Sequence, residues 1–158
     1  MQPVDSSRSE AFTEFVAASG ARLQQGLIAA LGPDIGSDAA AEALRHGWEN
    51  WERVAAMANP TGYLFVVGRN AGRRMHKAPV FPPPMPPVVD APWIEPGLPD
   101  ALASLSERQR VATALVHGGG WSYADVAELL EVDRGTVKKH ADRGLERLRV
   151  ELKVDLDA

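Results

Sequence analysis

Proline dominates one stretch of this 158-residue chain and divides the chain in two. Nine of the twelve prolines lie at positions 79, 82, 83, 84, 86, 87, 92, 96 and 99. Because proline lacks a backbone N–H and biases the preceding residue away from helix, this stretch can form neither a helix nor a central strand. We predict an extended linker over residues 78–97, partly of polyproline II type, between domains of residues 1–77 and 98–158. A proline-rich ligand for an aromatic groove is the alternative interpretation of the linker.

The C-terminal part contains three residues of the type that begins helices. They are Ser106, Ser122 and Asp133. The two serines are followed after three positions by Gln109 and Asp125, the spacing of a capping box, and the aspartate can accept from the first N–H groups of a helix. Apolar residues follow at helical intervals, and a tight turn over residues 130–133 separates the last two segments. The pattern predicts a helix-turn-helix whose final helix spans residues 134–149.

This final helix is strongly cationic, with six basic residues against two acidic ones between Arg134 and Arg149. The residues that we assign to DNA binding lie on one side of it: Arg134, Gly135, Lys138, Lys139 and Arg143. The cluster begins at the helix N-terminus, which is the end that enters a major groove, and a glycine there lets the backbone approach phosphate. A merely solvated basic face is the simpler alternative, but the placement of the charge favours DNA binding.

The spacing of apolar residues in the N-terminal part predicts further helices, so we predict an all-α fold. A first helix runs from Ser9 to a stop at Gly32–Pro33, with Gly20 as a possible break. A second begins at Ser37 with an inward stripe of Ala40, Leu44, Trp48 and Trp51, and a third begins at Asn59–Pro60 with a stripe of Leu64, Val67, Ala71 and Met75. The other side of the third helix collects a second set of candidate DNA-binding residues: Arg69, Asn70, Arg73, Arg74 and Lys77.

Composition limits the partners and the chemistry. The formal net charge is −4, whereas proteins that hold DNA by bulk electrostatics carry a basic excess, so we expect a partner to deliver this chain to DNA. There is no cysteine, no apolar run long enough to span a bilayer and no signal-like N-terminus, which favours the cytoplasm and argues against membrane insertion. The four histidines are dispersed, and no nucleophile–base pair is visible. We therefore expect no enzyme activity, catalytic residue, metal or cofactor.

Two segments resemble the extracytoplasmic-function (ECF) sigma factors of the bacterial sigma-70 family. Leu105–Leu152, with Gly-Thr-Val-Lys at 135–138, is similar to region 4 of that family. Asn59–Lys77 is similar to the end of region 2, with an asparagine–proline start, an aromatic–leucine pair and an Arg-Asn step followed by basic residues. The resemblance implies two helical domains joined by an extended linker. Glu131 stands at a turn position where glycine is common, so we expect a positive φ there.

The resemblance also implies a function. Region 4 would read the −35 promoter element, and region 2 would bind the polymerase and open the −10 element, with the loop Ala55–Asn59 facing an unstacked base. The implied partners are core RNA polymerase, promoter DNA and an anti-sigma factor. The polymerase-binding residues would be Asp38, Glu42, Leu44 and Glu49. This stretch has fewer acidic residues than is usual in the family.

Two other interpretations remain open. Thr136–His140 also resembles the recognition helix of LuxR-type transcription regulators, whose N-terminal receiver or ligand domain would contain alternating strands and helices. The weakened acidic stretch at 37–50 instead suggests a degenerate sigma-like interaction protein that binds polymerase or an anti-sigma factor without initiating transcription.

Overall fold

The computed structural model describes residues 3–75, 81 and 95–153. Its eight α-helices are α1 (Pro3–Leu31), α2 (Pro33–Glu49), α3 (Trp51–Ala55), α4 (Pro60–Met75), α5 (Leu98–Ser104), α6 (Glu107–Thr113), α7 (Tyr123–Leu130) and α8 (Arg134–Leu152). A π-helical turn, Ala114–Gly118, continues α6. The described residues form no strand, and the predicted all-α fold is confirmed.

The first two helices begin earlier than predicted, at Pro3 and Pro33, whereas the predicted stop of the first helix at Gly32–Pro33 is confirmed. α1 passes through Gly20 without a break and stops at Gly32, whose φ of 87° only glycine adopts readily. α2 then begins at Pro33, so the predicted start at Ser37 is wrong. Proline is well tolerated in a first helical turn because its missing N–H has no intrahelical partner there.

Small residues form the buried face of α2, and in α4 they share the buried face with Leu64 and Phe65. The buried residues of α2 are Gly36, Ala39, Ala40, Ala43 and Gly47, and those of α4 are Gly62, Leu64, Phe65, Gly68 and Gly72. A Cβ added at Gly36 would lie 2.5 Å from Cα of Ile28, so α1 and α2 are nearly in backbone contact. The predicted inward stripes were therefore wrong in part: Leu44 and Val67 are only partly buried, and Met75 is 47% exposed.

The predicted helix starts at Ser106, Ser122 and Asp133 are confirmed. The hydroxyls of Ser106 and Ser122 accept from the backbone N–H groups three residues on, at 3.2 and 3.1 Å. Asp133 accepts from the N–H of Thr136 at 2.7 Å. Glu131 has a φ of 55°, as expected for the turn, and α7 and α8 form the helix-turn-helix.

One continuous hydrophobic core joins the N-terminal and C-terminal helices. Leu23, Leu27 and Phe65 belong to the same buried cluster as Val111 and Leu129. α1 packs against α6, and α4 packs against α7. The division into domains of residues 1–77 and 98–158 stays a prediction, and most of the predicted linker, 78–97, lies outside the described residues.

Candidate nucleic-acid interface

The structure places all five candidate residues of α8 on its exposed side. Arg134, Gly135, Lys138, Lys139 and Arg143 are exposed, whereas Val137, Ala141, Gly144 and Leu148 are buried on the opposite side. We call these five exposed residues the reading face. Arg134, Lys139 and Arg143 have no carboxylate partner in the part of the chain that the structure describes.

Close packing on α6 holds α8 in place behind the reading face. A Cβ added at Gly144 would lie 1.9 Å from Oγ1 of Thr113 and 3.1 Å from the backbone oxygen of Gln109. Glycine at this position therefore lets the two helices approach at their crossing. The N-terminus of α8 is fixed as well, since Asp133 accepts from both the backbone N–H and the hydroxyl of Thr136. The reading face is thus presented on a rigid element.

Two cations of α8 have partners within the protein. Nζ of Lys138 donates to Oδ2 of Asp142 at 2.7 Å, and this hydrogen bond raises the pKa of Lys138. Arg147, which lies further along α8, donates to Oε1 of Gln109 at 3.1 Å and to the carbonyl of Ser104 at 3.2 Å. Arg147 therefore ties α8 to α6 and the residues before it.

Arg108 is a further cation near the reading face, and no sequence pattern pointed to it. Burial, Arg108 and Arg143, in that order, lower the pKa of His140, so its imidazole is mostly neutral at pH 7. Arg108 lies on α6 and is exposed, which adds a charge from a second helix to the positive field of α8. How close Arg108 lies to the reading face depends on how α6 crosses α8, and no local sequence pattern predicts that crossing.

The basic side of α4 is engaged by the C-terminal helices. Glu107, at the start of α6, lies 3.5 Å from Nη1 of Arg69 and 2.7 Å from Nη2 of Arg73. Asn70 and Arg74 are exposed. Lys77, the last member of the predicted set, lies outside the described residues.

The candidate polymerase-binding stretch on α2 is partly neutralised. Arg45 forms ion pairs with both Glu42 and Glu49, the latter at 2.6 Å, and its hydrogen bond to Glu42 lowers the pKa of that carboxyl. Asp38 is exposed, and Leu44 is partly buried. Of the three acidic residues in this set, Asp38 is the one that has no cation partner among the described residues.

The tryptophans at the end of α2 and the start of α3 pack against α1. The ring centroids of Phe12 and Trp48 are 5.4 Å apart, and those of Phe15 and Trp51 are 5.2 Å apart. Trp51 is 7% exposed. These aromatic side chains stabilise the N-terminal helices here, and their faces are covered by α1.

Comparisons with known proteins agree with this geometry. Residues 97–148, which hold α5 to α7 and most of α8, match the family model of sigma-70, region 4. The chain is 24% identical to the sigma factor RpoE of Bartonella quintana, solved as a co-crystal with the anti-sigma factor NepR, with a TM-score of 0.63. The similarity covers 92% of this chain and 99% of that one. No curated protein sequence matches the chain.

Other observations bear on the alternative interpretations. Residues 3–75 form helices throughout their regular structure, without the strands expected of the receiver domain of a LuxR-type regulator. In the described ranges no helix is both long enough and apolar enough to cross a membrane. The C-terminal helices therefore match region 4 of sigma-70, and the fold of the chain is similar to that of a solved sigma factor.

Proposed function

We propose that this protein is an RNA polymerase sigma factor that directs core polymerase to specific promoters. The observation that carries the proposal is the reading face, an exposed cationic surface at the N-terminal end of a rigidly held helix within the region 4 match. In a helix-turn-helix this end of the second helix enters the major groove. We assign it to the −35 element and the N-terminal helices to the −10 element.

Base reading falls to the first turns of α8. Arg134 and Lys138 lie one turn apart on the exposed side, where their side chains would reach base edges. Arginine or lysine paired with O6 and N7 of guanine is the commonest specific contact in the major groove, worth about 1–3 kcal/mol. Lys139 and Arg143 flank this pair and would contact phosphates, which fix the register of the protein without reading sequence.

The N-terminal helices would act on the opened promoter. Arg69, Asn70, Arg73, Arg74 and Lys77 would hold the upstream edge of the duplex, and the loop before α4 would face an unstacked base. Unstacking a base costs a few kcal/mol, so binding of polymerase and capture of the strand must supply that free energy. The net charge of −4 supports this division of labour, since the isolated chain lacks the basic excess of independent DNA binders.

The partners in this proposal are core RNA polymerase, promoter DNA and an anti-sigma factor, and the place of action is the cytoplasm. Polymerase would contact α2 through Asp38, Glu42, Leu44 and Glu49. We propose an anti-sigma partner because the solved sigma factor of similar fold is bound to one. The protein itself would catalyse no reaction.

Run-off transcription with core polymerase and a library of genomic promoters tests the proposal. We expect transcripts from a subset of promoters that share an upstream element, and we expect the Lys138→Ala variant to change that subset. Arg149→Ala removes the same charge from the last turns of the same helix and should leave the subset unchanged. Failure of the chain to bind polymerase or to yield any promoter-dependent transcript would refute the proposal.

A second candidate is an interaction protein that binds polymerase or an anti-sigma factor without initiating. The pairing of Arg45 with Glu42 and Glu49 favours it, because carboxylates already neutralised within the helix are weaker ligands for a basic partner surface. Polymerase binding without promoter-dependent transcripts in the same assay would favour this candidate.

A further inference from the structure

The loop that we assign to the unstacked base has almost no polar side chains. Ala55, Ala56, Met57 and Ala58 precede Asn59, and the three alanines are exposed. None of these four side chains can form a strong hydrogen bond with a base edge. The loop must therefore distinguish bases by the position of its backbone and by the shape of the surface that this backbone forms. Any group that fixes the backbone of the loop then affects which base fits.

One tyrosine joins the helices on both sides of this loop. Oη of Tyr63, near the start of α4, lies 3.2 Å from Nη2 of Arg53 on α3 and 3.0 Å from Nε2 of His46 on α2. Arg53 comes two residues before the loop, and Tyr63 comes four residues after it. The hydroxyl thus connects the two ends of the loop to each other and to α2.

The chemistry of the three groups sets the direction of the two hydrogen bonds. A guanidinium can only donate, so the Tyr63 oxygen accepts from Arg53. We therefore assign the hydroxyl proton to the bond with Nε2 of His46. The guanidinium of Arg53 also lies over the tyrosine ring, 5.7 Å from its centroid, which adds a cation–π attraction. Since Tyr63 is partly buried, these contacts are partly shielded from water.

The short helix α3 depends on tertiary contacts of this kind. It has five residues, and isolated helices shorter than about 12 residues are marginal in water. Its inner side is fixed by Trp51 and Val54, which are buried. On its outer side, within the described residues, the exposed Arg53 forms its side-chain hydrogen bond with Tyr63. All three linked side chains belong to the N-terminal helices, so the link does not depend on the C-terminal helices.

We infer that Tyr63 is a positioning residue for the loop Ala55–Asn59, and that its hydroxyl, through Arg53 and His46, determines which base of the −10 element the loop accepts. In this role Tyr63 itself touches no DNA. Loss of the hydroxyl would let α3 and the loop shift, while the buried contacts keep the N-terminal helices folded. The role in base selection rests on the proposed function, but the effect on the loop is a property of the chain alone.

Hydrogen exchange on the full chain, without polymerase, measures the effect on the loop. The reporter is the N–H of Met57, which donates to the carbonyl of Val54 at 3.1 Å. We expect exchange at this N–H to be about three- to tenfold faster in Tyr63→Phe and in His46→Leu, since each variant loses one hydrogen bond of the link. His46→Gln keeps an acceptor near the position of Nε2 and should exchange like the parent. An unchanged exchange rate in the folded Tyr63→Phe variant would overturn the inference.

Transcription by the holoenzyme measures the effect on base selection. Core polymerase is combined with each variant and with templates that carry a fixed upstream element and a randomised −10 element. We expect Tyr63→Phe and His46→Leu to reduce the preference for the favoured base about three- to tenfold at one position of the −10 element, and His46→Gln to retain that preference. The matched control is Tyr123→Phe, which removes the same hydroxyl from α7, where it has no hydrogen-bond partner among the described residues. This control should leave the preference in the −10 element unchanged.

The outcomes separate positioning from a purely structural role. Less transcript with the same base preference in Tyr63→Phe would overturn the inference, and so would an equal change of preference in Tyr123→Phe. If the parent itself gave no promoter-dependent transcript, the proposed function and the role in base selection would fail together. The exchange rates would still decide whether Tyr63 positions the loop.

Discussion

Lys138 and Asp142 face each other across one turn of α8, with 2.7 Å between Nζ and Oδ2. Both side chains are more than half exposed, so the pair lies on the exposed side of the helix, which we propose faces DNA, rather than in the core. An acid in this position competes with DNA for the ammonium group that we assign to base reading. It also adds a negative charge where phosphates would approach.

We therefore expect Asp142→Asn to strengthen binding to duplex DNA containing the upstream element. The substitution frees Lys138 and removes a charge that repels phosphate, so the salt dependence should become steeper by about one phosphate contact. Fluorescence anisotropy at several salt concentrations measures both quantities. Glu146→Gln, one turn further along α8, changes the net charge equally and should have the smaller effect. Equal effects of the two variants would contradict a specific role for the pair.

We expect the loss of Arg147 to lower the free energy of unfolding and the loss of Arg134 to change the base preference. Arg147→Ala removes hydrogen bonds to Gln109 and to the carbonyl of Ser104, which should cost about 0.5–1.5 kcal/mol of unfolding free energy with the sequence preference unchanged. Arg134→Ala should leave stability nearly unchanged and relax the preference within the upstream element. Urea unfolding and binding to a randomised upstream element separate the two roles. A change of base preference in Arg147→Ala would show that this arginine leaves its internal partners when DNA binds.

The helix-turn-helix was predictable from the sequence because its determinants are local. Ser106, Ser122 and Asp133 each bind an N–H three residues away, and Glu131 takes the left-handed conformation that its turn requires. The buried faces of α2 and α4 were predictable only in part, since Ala40 and Leu64 are buried as expected but several of their buried neighbours are glycines. A pattern search expects large apolar residues inside, whereas close helix contact selected glycines such as Gly36 and Gly68 instead.

The packing of the C-terminal helices against α1 depends on contacts that no local sequence pattern predicts. Arg110 binds carbonyls about eighty positions earlier in the chain, at Ala29 and Ala30. On sequence alone an arginine in an amphipathic helix is expected on the surface, since charged residues are rarely buried without partners. Its partners here are backbone groups at the end of α1, which only the packing of α1 against α6 brings near.

Asp133 should make the stability of the C-terminal helices depend on pH. The backbone N–H and the hydroxyl of Thr136 bond its carboxylate and lower its pKa below the ordinary value of 3.8. The folded state therefore favours the ionised form, so this stabilisation is present above pH 3.8 and is lost as the pH falls through the lowered pKa.

We expect Asp133→Ala to unfold at a lower temperature than the parent at pH 7. This difference in unfolding temperature should shrink as the pH falls below 3.8. Asp133→Asn keeps an N-cap acceptor, and its stability should vary less with pH over the same range. A parent–alanine difference that stays constant down to pH 2 would contradict the role of the charge.

Two glycines in long helices should respond in opposite directions to alanine. At Gly36 a Cβ would lie 2.5 Å from Cα of Ile28 and 2.7 Å from the carbonyl oxygen of Leu27, and backbone atoms cannot rotate away. Gly36→Ala should therefore push α1 and α2 apart and cost about 1–3 kcal/mol of unfolding free energy, as overpacking of a core does.

At Gly20 the nearest atom is 3.2 Å away and belongs to the side chain of Val16, which can adjust. Gly20→Ala should stabilise the protein by about 0.5–1 kcal/mol, because alanine loses less conformational freedom in a helix. Urea unfolding followed by circular dichroism measures both changes in the same way. A neutral Gly36→Ala would mean that α1 and α2 do not approach this closely, and loss of stability in Gly20→Ala would mean that α1 is not a continuous helix through that residue.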